Sequence, residues 1–328
     1  MLRRLLISLA VCTLALAGCT APDNPVIPGN QGNQQNQENQ GGQGTAPVNP
    51  EKTVSVTFTL SLKKTESSQE YAFPSTKADN VKLRYTLGIY LENDFHWADA
   101  SPVVKKSIYL DSSESCSERI ELKQAHYTVL VWADYVKDNT TNWFWNPFNL
   151  SQVEYATFYQ GSLVYKQSYY CRSELDIRTA NQDRTESIEL EPAGSGFRII
   201  ATDASSFEGK DLTAVISYLD PIPLTFDVGN FMPVGGQSGL SFSSPVEKLD
   251  DGTVSIADDF ILMNVDTSFK ATLTLQEKDG TVLLKQDITI PIKKGYNTIL
   301  KGEVLSAGGG GGGITVDPSF EDNIDISF

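Results

Sequence analysis

Polar and apolar positions divide the chain into three zones. Arg3 and Arg4 are followed by an apolar run from Leu5 to Ala17. A basic start and so short an apolar stretch predict a secretory signal over 1–18, since a membrane-spanning helix needs about 20 apolar residues. The apolar signal then vanishes. Asn30 to Gly44 is almost entirely Gln, Asn and Gly, flanked by Pro22, Pro25, Pro28, Pro47 and Pro50. Nothing there buries enough apolar surface to offset chain entropy, so 19–51 is expected to be a disordered tether. A flexible chain of about 30 residues spans roughly 30 Å and reaches roughly 100 Å when taut.

From Thr53 the pattern takes a period of two. Val54, Val56, Phe58, Leu60 and Leu62 alternate with polar residues, which predicts a half-buried strand. Further strands are expected over 83–91, 107–110, 119–122, 127–135, 155–165 and 187–190. Glu191 to Gly196 reads as a joint. A second series covers 197–201, 212–218, 224–228, part of 255–265, 271–276, 282–292 and 297–305, with Asp279-Gly280 as a hairpin signal. No long stretch carries a helical period. The expected fold class is all-β, with one β-sandwich over 52–192 and a second over 193–328. Six glycines, Gly308 to Gly313, separate the last alternating stretch, 323–328, from the rest. Ile324, Ile326 and Phe328 there are either side chains of an ordinary last strand or the anchors of a donor strand for another subunit's sheet edge.

Cysteine usage changes the picture at the N-terminus. Leu16-Ala17-Gly18-Cys19 fits a bacterial lipobox, so Cys19 is the expected lipid-attachment site; the alternative is an ordinary signal peptide with a chance cysteine. Thr20 rather than Asp follows it, which favours passage to the outer membrane. Cys116 and Cys171 then remain in an exported chain, where they are either a disulfide or two separate buried thiols. The formal charge is −15 for the whole chain, and losing Arg3 and Arg4 with the signal makes it −17. That excludes nucleic acid and an anionic bilayer surface as partners, because both require a basic face.

An enzyme reading has little to stand on in the sequence: carboxylates are plentiful, but no two sit in the setting of a glycosidase pair. His96 and His126 accompany no nucleophile motif, and the glycine run precedes no phosphate-binding Lys-Ser/Thr pair. No metal spacing occurs and no cofactor is implied. Asp250-Asp251 and Asp258-Asp259 read as solvated turns rather than calcium ligands. One segment stands apart: Trp143, Phe144, Trp145 and Phe148 crowd a stretch without strand alternation. Exposed on a loop, they would form a ligand-contact platform for a glycan or a protein; folded back, they would plug their own sandwich.

Several stretches carry a family resemblance. They are Val129-Leu130-Val131-Trp132-Ala133-Asp134-Tyr135-Val136, Ala156-Thr157-Phe158-Tyr159-Gln160-Gly161, Tyr296-Asn297-Thr298-Ile299, and Ile314 to Phe320 after the glycines. With the lipobox, they resemble the fimbrillin-like and fimbrial anchor lipoproteins of Bacteroidales and an adjacent lipoprotein family of uncharacterised function. The resemblance implies two transthyretin-like β-sandwiches. It also implies a non-enzymatic, lipid-anchored surface protein of the outer membrane whose partners are other fimbrial subunits or a host or glycan ligand. Shaft subunits of that family lose a first strand by cleavage after Arg or Lys. Here the tether from Thr20 to Glu51 holds neither; the next basic residues are Lys52, Lys63 and Lys64. That departure points to an anchor or accessory subunit that keeps its first strand. The alternative is a monomeric glycan- or protein-binding lipoprotein working through Trp143 to Phe148.

Overall fold

The computed structural model describes residues 52–63, 80–92, 101–111, 113–137, 142–306 and 325–327. They form an all-β fold of four sheets. Residues 46–328 cluster as one compact unit. A short helical turn lies at Ala204–Phe207.

The largest sheet contains β1 (Thr53–Leu62), β2 (Val81–Leu91), β3 (Val104–Leu110), β4 (Ser115–Lys123), β5 (His126–Lys137), β8 (Ser168–Asp176) and β9 (Arg184–Pro192). Their spatial order is β3-β2-β5-β8-β9-β1-β4. The alternation in β1 does what its period demands: Val54, Val56, Phe58, Leu60 and Leu62 all enter the first core. β1 lies inside the sheet, antiparallel to β4 on one side and parallel to β9 on the other. β5 differs from a half-buried strand because both of its faces are covered. Tyr127, Val129, Val131, Ala133 and Tyr135 face the first core, while Leu130 and Trp132 face a separate aromatic cluster.

Two sheets enclose the second core. One has the order β15-β16-β10-β19-β20, from β10 (Gly194–Ala201), β15 (Glu247–Lys248), β16 (Val254–Leu262), β19 (Asn297–Gly302) and β20 (Asp325–Ser327). The other has the order β14-β11-β17-β18, from β11 (Leu212–Tyr218), β14 (Ser241–Pro245), β17 (Thr267–Glu277) and β18 (Val282–Ile292). The Asp279-Gly280 signal joins β17 to β18 as expected. Gly280 takes a φ of +88°, and the Asp279 carboxylate accepts the Thr281 N–H at 2.9 Å. A small fourth sheet, β13-β12-β7-β6, links the two halves of the chain. It pairs β6 (Trp145–Asn146) and β7 (Val153–Tyr155) with β12 (Thr225–Asp227) and β13 (Met232–Val234).

Two expectations are corrected. The stretch 155–165 is not a strand: β7 stops at Tyr155, and the chain continues in turns to Gln167. The strand lies just beyond, as β8. Asp258 and Asp259 are not a solvated turn but sit within β16, where Asp259 is fully buried. At the joint read over 191–196 the two strands nearly abut. Only Ala193 separates β9 from β10. Its N–H donates to Ser168 O at 2.8 Å, and its carbonyl accepts the Met263 N–H at 3.1 Å.

The approach of β10 to β16 is too close for a side chain at its start. A Cβ on Gly194 would lie 2.1 Å from the backbone oxygen of Ile261. Because a backbone atom cannot swing aside, Gly194→Ala is expected to destabilise the protein by about 1–3 kcal/mol, the usual range for overpacking. Urea denaturation against the parent protein measures this.

Candidate functional site

The aromatic segment 142–167 covers the outer face of β5. Trp132 projects outward from β5 and meets Trp145 edge to face at 5.9 Å and Phe226 at 5.7 Å. Phe144, Trp145, Leu150 and Val153 come from the segment itself. With Tyr90, Tyr170, Ala193, Phe260 and Leu262 they complete the cluster, which draws on strands of both large cores. The Trp145 indole donates to Lys166 O at 2.8 Å. Of the four aromatics expected on a ligand platform, Phe144 and Trp145 are therefore buried. Trp143 is half-buried, stacked on Phe144 at 4.9 Å. The physical reason is that the outward face of β5 carries Leu130 and Trp132, which need cover. Phe148 alone stands out, 80% exposed, with the Lys105 ammonium 4.1 Å from its ring centroid. Phe158, not singled out in the sequence, is 90% exposed.

Two buried ion pairs pin this segment at its ends. At the first, the Arg84 guanidinium grips Asp134 through two hydrogen bonds of 2.9 and 2.7 Å. It also donates to Asn142 Oδ1 at 2.7 Å and to Trp145 O at 3.0 Å. Burial pushes the Asp134 carboxyl up to about 6, against the opposing pull of Arg84. At the second, Lys166 Nζ lies 2.7 Å from Asp259 Oδ1. The hydroxyls of Tyr159 and Tyr218 donate to Asp259 Oδ2 at 2.6 and 2.8 Å. Burial lowers the Lys166 pKa and raises both tyrosines well above the ordinary value. Sequence pattern missed this pair, because a lysine in a turn and an acid beside another acid carry no period.

The remaining expected sites fall as follows. Cys116 and Cys171 are free thiols. Cys116 on β4 pairs with Leu60 and Cys171 on β8 with Val131, so both face the first core while β9 and β1 separate their strands. Burial raises both thiols, Cys116 to about 11. Cys19, Ile324 and Phe328 lie outside the described residues. Ile326 falls in β20, which runs parallel to β19 with Leu300 opposite Ile326. His126 makes a hydrogen bond with Glu92 and lies 3.7 Å from Glu174; His96 lies outside the described residues. Among the described residues no three His, Cys, Asp or Glu side chains gather where a metal could sit, and no helix is long and apolar enough to cross a membrane. The charged pairs that could do chemistry are closed inside packed clusters.

The fold is β-rich, and its buried ion pairs lie inside packed clusters. Residues 47–328 match a family of unknown function (DUF6562), and the chain belongs to that family. No curated protein matches it. Solved structures similar to it include a candidate adhesin from Bacteroides ovatus, at 14% identity and TM-score 0.42 over 85% of this chain and 93% of that one. A candidate polysaccharide-binding protein from Bacteroides thetaiotaomicron is similar at 14% identity and TM-score 0.44, over 76% and 92% of the two chains. The fimbrial anchor protein Mfa2 from Porphyromonas gingivalis is similar at 13% identity and TM-score 0.39, over 71% and 82%.

The two aromatic environments predict opposite outcomes. Trp145→Ala should cost about 3–5 kcal/mol, as loss of a large buried aromatic does, whereas Phe148→Ala should stay within about 0.5 kcal/mol; chemical denaturation separates them. Arg84→Met leaves Asp134 buried without its partner and should cost about 3–5 kcal/mol near neutral pH. The sign with pH follows from the raised Asp134 value. Its contribution to stability is full below the ordinary carboxylate pKa and is lost as pH rises through about 6. The deficit of Arg84→Met should therefore shrink on acidification, where the carboxyl takes up a proton, and grow on the alkaline side. Thermal melts across pH read this directly.

Proposed function

We propose that the protein is a lipid-anchored surface protein of the outer membrane, attached through Cys19. In this reading it serves as an anchor or accessory subunit of a fimbria in adhesion and associates by β-strand addition. It carries two transthyretin-like sandwiches, over 52–192 and 193–328, beyond a tether that holds them off the membrane. The observation that carries the reading is the last strand. β20 lies on the outer edge of β19 and meets only Ile299, Leu300 and Lys301 of that six-residue strand. A strand of this kind can be supplied by any segment of suitable pattern, because an added strand is recognised through main-chain hydrogen bonds. The glycines from Gly308 to Gly313 precede it. The interior position of β1 supports an anchor over a shaft subunit. Its five apolar side chains fill the first core, so in an anchor that keeps this strand the core is complete without a partner.

A second reading rests on Phe148. Its exposed ring beside Lys105 suits stacking on a sugar or insertion into a protein pocket, in a monomeric surface module.

One comparison tests the first reading. The chain ended after Ala307 is expected to stay folded and to capture a peptide of residues 314–328, seen by size-exclusion chromatography with light scattering. The intact chain is expected to associate at high concentration. An intact chain that is always monomeric, with a truncated form that ignores the peptide, would sink strand addition. Loss of ligand binding in Phe148→Ala with unchanged assembly would then favour the second reading.

A further inference from the structure

Lys166 and Asp259 are placed 93 positions apart in sequence and in direct contact in space. Lys166 is 1% exposed and Asp259 0%. The ammonium lies 4.1 Å from the Tyr159 ring centroid and 5.4 Å from that of Tyr155, so aromatic faces wall off the site. The two carboxylate oxygens are treated differently. Oδ1 faces Lys166 and accepts the Phe260 N–H at 2.8 Å and the Ser162 N–H at 3.3 Å. Oδ2 accepts the two tyrosine hydroxyls.

We propose that Lys166 and Asp259 condense to an intramolecular amide bond. In a site this dry the separated charges are costly, and transfer of one proton from ammonium to Oδ1 yields a neutral amine facing a neutral acid. The Nζ lone pair then attacks Cγ. The carbonyl oxygen Oδ2 gathers the negative charge between the Tyr159 and Tyr218 hydroxyls, which stand where an oxyanion needs donors. The C–Oδ1 bond breaks and Oδ1 leaves as water, carrying the transferred proton and a second one from the amine. One C–N bond forms, one C–O bond breaks, one water is lost, and neither oxidant nor cofactor takes part. Fixed approach supplies what dilute water opposes, since well-oriented intramolecular reactions reach effective molarities of about 10⁵–10⁸ M.

The bond would tie the turn before β8 to β16 and so clasp the two halves of the chain covalently across the aromatic cluster. Such a tie survives unfolding and pulling, which suits a protein tethered at one end.

Peptide mapping of the full chain, denatured and digested with trypsin, tests it. Cleavage sites at Lys137, Lys166, Arg172, Lys248 and Lys270 frame the two partners. An amide blocks cutting at Lys166 and gives a joined species of residues 138–172 and 249–270, lighter than their sum by one water. Lys166→Arg, checked for folding by circular dichroism, should release the two peptides separately. Asp259→Asn should give the joined species lighter by one ammonia instead. A folded parent chain that is cut at Lys166 and yields residues 138–166 and 249–270 at unshifted mass overturns the proposal.

Discussion

The structure depends on covering the outer face of β5. A strand with Leu130 and Trp132 on one side and Val129, Val131 and Ala133 on the other cannot serve a one-sided sandwich. The second face must be buried, and the chain does this with its own segment 142–167 and with the tip of β12. Because Phe226 and Phe260 come from the C-terminal half, the cover over β5 also joins the two large cores. The cost appears at the segment's ends, where main-chain groups of a non-strand segment need partners. Arg84 supplies one to Trp145 O, and Asp258 and Asp259 supply others to the N–H groups of Leu163 and Ser162. The buried ion pairs are thus a consequence of the aromatic cover. They explain why Asp134 and Asp259 carry charge in positions that a strand pattern assigns to apolar residues.

This arrangement shows which parts of the molecule the sequence could reveal. Strands with one wet face, such as β1, β11 and β17, wrote their period plainly in Val54 to Leu62, Leu212 to Tyr218 and Phe269 to Leu275. The Asp279-Gly280 turn was equally plain. β8 was not: Tyr169, Cys171 and Leu175 face the first core, but Tyr170 beside them faces the other cluster and Ser173 breaks the apolar series, so the period is blurred. The aromatic segment was visible as chemistry but not as placement. Four crowded aromatics in a loop read alike whether they face solvent or a hydrophobic strand, and only the second face of β5 decides between them. The Lys166–Asp259 pair was illegible for a different reason. Its two members come from distant turns and strands, and burial of each is meaningful only once the other is in place.

The sheet edges bear on how such a protein associates. Free edges invite pairing, and chains commonly block them with charge, proline or brevity. β3 carries Lys105 and Lys106, and β4 carries Glu118, Arg119 and Glu121. β13 holds Pro233, β14 ends at Pro245, and β18 holds Lys285 and Pro291. β6 and β15 are two residues long. β19 differs: it has no proline, it runs parallel to β10 through six registered pairs, and its other side meets a strand of three residues. Among the described residues, the β19 side of its sheet is therefore the edge least blocked by proline or charge. An edge that meets a short strand needs no new surface to pair with another strand of matching pattern. A covalent bond between Lys166 and Asp259 would leave that edge untouched, because it would join the turn before β8 to β16 rather than any strand beside β19.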